Sequence, residues 1–344
     1  AGARLVAVAD PAGAEGFAAA WGAVAYRSID EMLAAGGLDA VHVLTPPHLH
    51  CAHALKALDA GLHVLVEKPF AVTRAEAEAM VLAAGRAGKV IAVNHNFLAL
   101  PAYQRLKRAL AEGVPGGIDS VDIRWRFPLS PLRSGPFGLW MLREPANLLL
   151  ELGPHLFAFA HDLVGPLTEI DLRLSKPVTL PGGRVQYQGW HMRAKAGAVD
   201  VVLNLSLVEG AEDRSVEVRG VTAVARLDYG NDVLVMDRPN ASDIVVNPLR
   251  AQVSLAGQHL REGLRNAARQ GLSLNRKSPY GLGFRGAVSA FHRAVAGGVL
   301  PPAFSGDSAV AVMTGIEAAV ALVPMQAVAA VEPRDLGPAR VLVI

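Results

Sequence analysis

Over its first hundred residues the chain alternates short β-branched runs with helical stretches, and this alternation restricts the fold more than any other feature. Strands running in parallel need long crossovers, which helices supply, so the pattern predicts a parallel sheet built from βαβ units. Arg4 to Ala9 reads as a strand, followed by a helix over about Ala12 to Trp21 and a short strand near Val24. Ser28 and Glu31 have the spacing of a capping box, and the helix they open leads to a strand over Leu38 to Thr45. Gly61 closes the next helix as a left-handed cap, and Leu62 to Val66 is the strand after it. Thr73 and Glu76 form a second capping box; their helix ends near Gly88, before a strand over Val90 to Val93.

After Pro101 the texture changes. A helix runs to about Gly113, and then period-two alternation sets in along Val121 to Phe127. Similar runs recur at Glu169 to Leu174, Val185 to Met192, Val199 to Leu207, Ser215 to Arg219, Ala223 to Leu227 and Asp232 to Met236. Strict alternation buries one face of a strand, so these segments predict a large, mainly antiparallel sheet. Val178 to Gly183 reads as a surface turn, and helices return at about Ala251 to Gln270, Gly283 to Ala296 and Asp307 to Val323. The expected organisation is an α/β nucleotide-type domain over residues 1–98 and an α+β domain over 99–344.

Composition narrows the functional classes. The 344 residues are 51% hydrophobic, enough for a sizeable core, and carry a net charge of +2. The basic clusters Arg105 to Arg108 and Arg276-Lys277 are short and lack interleaved aromatic residues, which argues against a nucleic-acid partner. Cys51 is the only cysteine, so no internal disulfide or thiolate metal cage can form, and a reducing, cytoplasmic setting is the simplest fit. The apolar window Ala309 to Val323 is too short to span a bilayer, so no membrane role is expected.

Chemistry is expected at the carboxyl ends of the parallel strands, where open α/β sheets bind ligands. Glu67-Lys68-Pro69 ends the apolar run Leu62 to Val66. A partly desolvated lysine there could exchange protons with a substrate hydroxyl, or it could simply pair with Glu67. Asp10 ends the first visible strand; in a dinucleotide fold the acid at the end of the second strand receives the adenosine ribose hydroxyls and repels a 2′-phosphate, and the alternative is a helix cap at Asp10-Pro11. Thr45, Pro46, Pro47, His48 and His50 make a stiff turn at another strand end. His48, His50 and His53 are better explained by capping and packing than by a metal, and none is expected there. Glu151 and His155 lie one turn apart if helical, as an acid that orients an imidazole or as a structural pair, and Pro154 suggests that the helix begins around them.

These motifs in this order resemble the Gfo/Idh/MocA family, most closely over Asp39 to His50 and Gly61 to Pro69. The resemblance implies an N-terminal Rossmann-like doubly wound domain, a C-terminal α+β domain with its broad sheet, and pairing of subunits into a homodimer or homotetramer. It also implies hydride transfer between a nicotinamide, NAD rather than NADP given Asp10, and a secondary alcohol or ketone of a sugar, cyclitol or related polyol. Lys68, His155 and Glu151 take the catalytic places, Glu151 standing where relatives usually have aspartate. Asp10, Thr45, Pro46, His48, His50, Glu67, Lys68 and Asn96 take the cofactor-binding places, with Asn96 where an arginine is common. Trp140, Arg143 and Asn147 precede Glu151 and are candidates for the pocket wall. Relatives begin with one more strand and a glycine-rich phosphate turn, so roughly 20 to 30 further residues are expected upstream. Two other readings remain: transient oxidation by a lyase or glycosidase without net NADH formation, and a non-catalytic dinucleotide-binding or regulatory protein or fragment.

Overall fold

The computed structural model describes residues 2–239, 245–273 and 280–324, so Arg276 and Lys277 lie outside the described residues. The first part runs β1 (Ala7–Ala9), α1 (Glu15–Trp21), β2 (Val24–Tyr26), α2 (Ile29–Ala35), β3 (Ala40–Val43), α3 (His50–Asp59), β4 (His63–Val66), α4 (Arg74–Ala87) and β5 (Ile91–Val93). All pairings here are parallel, with Ala7 opposite Val24, Ala40 opposite His63 and Val64 opposite Ile91. The strands form a β1-β2 pair and a separate β3-β4-β5 sheet. Val64, Leu65 and Val66 are all buried, as expected of a strand covered on both faces.

The Thr73 box forms in full, Thr73 and Glu76 capping reciprocally, whereas at Ser28 only half of the expected box forms: Ser28 Oγ accepts from Glu31 N, but the Glu31 carboxylate accepts from Arg27 N rather than from Ser28 N. Gly61 has φ +76, as its cap role requires. The first strand is shorter than expected at its amino end, and the helix after it begins late, at Glu15, because Asp10 Oδ1 accepts a 2.8 Å bond from Ala12 N and Gly13 turns the chain at φ +100. That local turn consumes residues that propensity alone would put in the helix.

The second part continues with α5 (Pro101–Ala111), β6 (Ile118–Arg126), α6 (Pro131–Ser134), α7 (Pro145–Val164), β7 (Thr168–Thr179), β8 (Val185–Ala196), β9 (Val199–Ser206), β10 (Asp213–Gly220), β11 (Val224–Asp228), β12 (Val233–Asp237), α8 (Asn247–Ser273), α9 (Tyr280–Val295) and α10 (Gly306–Val320). Its seven-stranded sheet has the order β12-β11-β10-β6-β9-β8-β7, antiparallel except where β6 lies parallel to β9. Alternation puts Val121, Ile123, Trp190, Leu203 and Val216 on the inner face, in one apolar cluster with Leu148, Leu149, Leu156 and Phe159 of α7. The same cluster takes in Val43, Val64 and Val93 of the parallel strands, so one continuous core underlies both sheets.

Two expectations need correction. Val178 and Thr179 belong to β7, and the turn is confined to residues 180–184, closed by Leu180 N to Arg184 O at 2.7 Å. The helix expected to begin around Pro154 instead starts at Pro145 and runs through Pro154. An interior proline costs about 3 kcal/mol. Here complete burial of Leu148, Leu149, Leu156 and Phe159 on the sheet offsets it, at about 2 kcal/mol per large apolar side chain.

Helix α9 lies against a short 3-10 turn at Asn96–Ala99. A β-carbon at Gly283 would come 2.5 Å from Asn96 O, and one at Gly286 would come 2.7 Å from Ala99 Cβ, so the contact needs glycine at both positions. Helix α8 is held by ion pairs: Glu262 binds Arg105 and Arg265, and Arg269 reaches Asp232 at 2.5 Å. Asp232 also accepts 2.7 Å from Ala102 N, capping α5 from 130 residues away. No helix among the described residues is long and apolar enough to cross a membrane.

Asp232 therefore joins three elements from a buried position. Asp232→Ala is expected to lower the unfolding free energy by about 3 kcal/mol, because it strands a guanidinium and a helix N–H together. Urea denaturation checks this, and a loss under about 0.5 kcal/mol would contradict it.

Candidate active site

At the carboxyl ends of the parallel strands the ladder continues one residue beyond each strand: Glu67 N donates to Val43 O at 3.0 Å, and Asn94 N to Val66 O at 2.8 Å. This fixes the backbone of Glu67 before its side chain is placed. The carboxylate is then locked, with Oε1 accepting from Asn94 Nδ2 at 2.5 Å and Oε2 from Lys68 N at 3.2 Å. Glu67 thus binds the lysine's backbone and leaves its ammonium group for another partner.

That partner is Glu151. Lys68 Nζ donates to Glu151 Oε1 at 2.5 Å and to the Glu151 carbonyl at 3.1 Å, with both side chains about one-fifth exposed. An ammonium group has three hydrogens, so one donor is left beyond these two bonds. The two turns beside it are tied by His50, which is buried, with Nδ1 2.8 Å from Pro69 O and Nε2 2.6 Å from Thr45 O.

His155 approaches from the same helix as Glu151. Its ring stacks on Trp125 at 5.2 Å with planes 6° apart, and Phe97 meets it edge-on at 4.7 Å. Burial, then the charge of Lys68, then neighbouring His95 push its basicity well below the ordinary histidine value. His95 is itself pushed down to about 3, by burial and then by His161. The expected Glu151 to His155 pair is not formed: the carboxylate turns to Lys68, and aromatic rings hold the imidazole instead.

The structure thus brings Lys68, Glu151, Glu67, Thr45 and His50 together, with His155 close enough to feel the lysine's charge. Pro46 and His48 are exposed on the turn that His50 anchors. Asn96 is buried in the 96–99 turn, its carbonyl covered by α9. Asp10 stands exposed after β1, one carboxylate oxygen already used in the turn to Ala12. Of the proposed pocket-wall residues, Asn147 bonds the Trp140 carbonyl at 3.0 Å and Arg143 is exposed.

Sequence reasoning missed Asn94, His95 and Trp125. Asn94 and His95 sit at a strand end by the same logic as Lys68, and that was the available signal. Trp125 looked like any alternating strand residue. Several buried polar atoms at the crest lack partners among the described residues: Thr45 Oγ1, Asn94 Oδ1 and both ring nitrogens of His95. Such atoms call for a polar ligand or water, so the crest fits the amide and ribose end of a dinucleotide. Among the described residues no glycine-rich turn of the phosphate-binding kind adjoins it. Chemically, the arrangement sets a cationic donor beside a neutral, desolvated acceptor, as moving one proton to or from a hydroxyl requires.

Residues 1–95 match the model of the Gfo/Idh/MocA oxidoreductase family, NAD-binding Rossmann fold. Among curated relatives, the chain is 34% identical over 131 residues to 1,5-anhydro-D-fructose reductase of Ensifer adhaerens, covering 37% of this chain and 38% of that protein. It is 33% identical over 151 residues to D-apiose dehydrogenase of Paraburkholderia graminis, covering 44% and 40%. The chain thus spans about two-fifths of the length of these relatives. Among solved structures, the WlbA dehydrogenase of Bordetella pertussis, in complex with NADH and UDP-GlcNAcA, superposes with a TM-score of 0.70 at 20% identity, over 94% of this chain and 91% of that one. At that identity the likeness shows the two-part fold.

The neutral histidines carry a pH signature. The folded rings of His95 and His155 bind protons less readily than the unfolded chain, whose histidines titrate near 6.5. Their contribution to stability is therefore present above about pH 6.5 and is lost as pH falls toward the folded values, by about 1.4 kcal/mol per pH unit for each ring. Urea unfolding at about pH 7 and pH 5 is expected to show this loss. His95→Phe should shrink the difference, and equal stability of the wild type at the two pH values would contradict the burial of neutral rings.

Proposed function

We propose that the chain, whose residues 1–95 match the Gfo/Idh/MocA oxidoreductase model, is an NAD(P)-dependent dehydrogenase or reductase acting on a secondary alcohol or ketone of a sugar, cyclitol or related polyol. The observation that carries this reading is the convergence of the Lys68 ammonium and the neutral His155 at the parallel strand ends. Relatives that reduce 1,5-anhydro-D-fructose or oxidise D-apiose, and a structural neighbour crystallised with NADH, support the substrate class and the cofactor. NAD is favoured over NADP because Asp10 leaves one oxygen for ribose hydroxyls and its charge repels a 2′-phosphate.

When bound, the nicotinamide supplies or accepts the hydride. Thr45, Pro46, His48, His50, Glu67 and Asn96 would line its binding crest, with Lys68 beside the ribose and the reacting hydroxyl. Lys68 uses its remaining donor to hold the hydroxyl oxygen and to stabilise the negative charge that builds there as the proton leaves. His155 is neutral and therefore able to accept that proton in oxidation, then return it in reduction. Glu151 keeps the ammonium aimed at the site, and its longer arm relative to aspartate still reaches at 2.5 Å.

Residues 1–98 would form the cofactor domain and 99–344 the substrate and assembly domain. The outer face of the seven-stranded sheet sets Asp171 opposite Arg193 and Glu217 opposite Arg226, a charged surface suited to pairing into a homodimer or homotetramer. The single unpaired cysteine fits the cytoplasm.

NADH fluorescence titration, followed by a polyol and sugar screen reading NADH absorbance, tests the function. Binding with net NADH formation is expected. Absence of binding at about millimolar cofactor would contradict it, and binding with product but no net NADH would favour transient oxidation. Lys68→Ala, with cofactor affinity measured separately, is expected to lower turnover more than tenfold, beyond about 1.4 kcal/mol of barrier.

A further inference from the structure

On β10, Arg214 lies directly opposite Trp125 of β6. Residues opposed on antiparallel neighbours emerge on the same face, so Arg214 leaves the sheet on the side where Trp125 stacks against His155. Its guanidinium carbon is 4.9 Å from the ring centroid of Phe127 and 4.9 Å from that of Tyr280. Tyr280 in turn meets Phe97 at 5.2 Å, and Phe97 meets His155 at 4.7 Å. Arg214 thus belongs to the aromatic wall that positions the imidazole.

The pairing of this cation is unlike that of the arginines of α8 that bind buried acids. Arg269 bonds Asp232 at 2.5 Å, and that acid is 1% exposed; Arg265 bonds Glu262 at 2.6 Å, and that acid is 2% exposed. Arg214 is itself only 14% exposed, yet its single side-chain partner among the described residues is Glu212, at 3.2 Å and half exposed to solvent. Nε and Nη1 have no partner among the described residues. Nε faces Gly230, where a β-carbon would intrude to 3.2 Å. Aromatic rings cover part of the guanidinium, and its N–H rim can meet an oxyanion in the plane, the geometry in which carboxylates and phosphates are gripped by two parallel hydrogen bonds.

We infer that Arg214 is a specificity residue that binds an oxyanion carried by the substrate, so that the sugar oxidised or reduced at Lys68 and His155 is an acidic one. This rests on the oxidoreductase reading above. The shared chemistry is a carboxylate, as in a sugar acid, or a phosphate, as in a sugar phosphate. A solvated glutamate such as Glu212 is a partner the ligand can displace, which a buried acid would not be. Arg214 does not touch the reacting atoms; it would set which substrate arrives and how it lies.

The test is calorimetric titration of D-glucuronate, D-glucose 6-phosphate and D-glucose into the protein with NADH bound, comparing wild type, Arg214→Met and Arg214→Lys. Methionine keeps the apolar stem, and lysine keeps the charge without the planar fork. At least one acidic sugar is expected to bind wild type more than tenfold tighter than D-glucose. Arg214→Met should lose that advantage with NADH affinity unchanged, and Arg214→Lys should recover part of it. The acid that shows the preference identifies the source of the oxyanion. Equal affinity for acidic and neutral sugars, no binding of any of the three with NADH bound, or a preference that survives Arg214→Met would overturn the assignment and leave the oxidoreductase reading standing. Failure of wild type to bind NADH would overturn both.

Discussion

The ion pair between Lys68 and Glu151 joins positions 83 residues apart, and the rest of the site depends on it. It binds the crest of the parallel sheet to the long helix that packs beneath the antiparallel one. Two charges four-fifths buried lose much of their hydration, and their attraction offsets that loss only when the geometry is close and other hydrogen bonds help. Here the ammonium also donates to the helix carbonyl. The pair is therefore better understood as a device for orientation than as a source of stability.

Everything nearby serves to keep that lysine in place. Glu67 could have competed for the ammonium but is held by Asn94 and by the lysine's own backbone N–H. His50 locks the turns at Thr45 and Pro69 together. On the other side, the wall of Trp125 and Phe97 holds His155, with no hydrogen bond among the described residues to compete for its nitrogens. Burial and then the lysine's charge keep that ring neutral, so the cation helps to set the acceptor's protonation.

The local grammar of the fold was legible in the sequence. The side-chain cap at Ser28, the capping box at Thr73, the glycine cap at Gly61 and the strict alternation from Val121 onward each act over a few residues, and each appears in the structure. Lys68, Glu151 and His155 could be singled out as candidates because strand ends and helical spacing are local signals too. Their partnership could not. The spacing of Glu151 and His155 suggested that they pair with each other, but Lys68, in the turn after β4, is the real partner, and nothing within four residues encodes that. Pro154 misled for a related reason: propensity says a helix should not pass through it, and only the buried surface of α7 on the sheet explains why it does. Arg214 was invisible because its meaning depends on register across β6 and β10.

The central claim, that Lys68 and Glu151 act as one unit in holding the reacting hydroxyl and the charge that develops on it, is tested most directly by a double-mutant cycle on turnover with Lys68→Met, Glu151→Gln and the combination. If the carboxylate works only by aiming the ammonium, the double variant will turn over no more slowly than Lys68→Met alone. Turnover losses that multiply, each variant slowing the double by its own full factor, would show that the two residues act independently and would contradict the account.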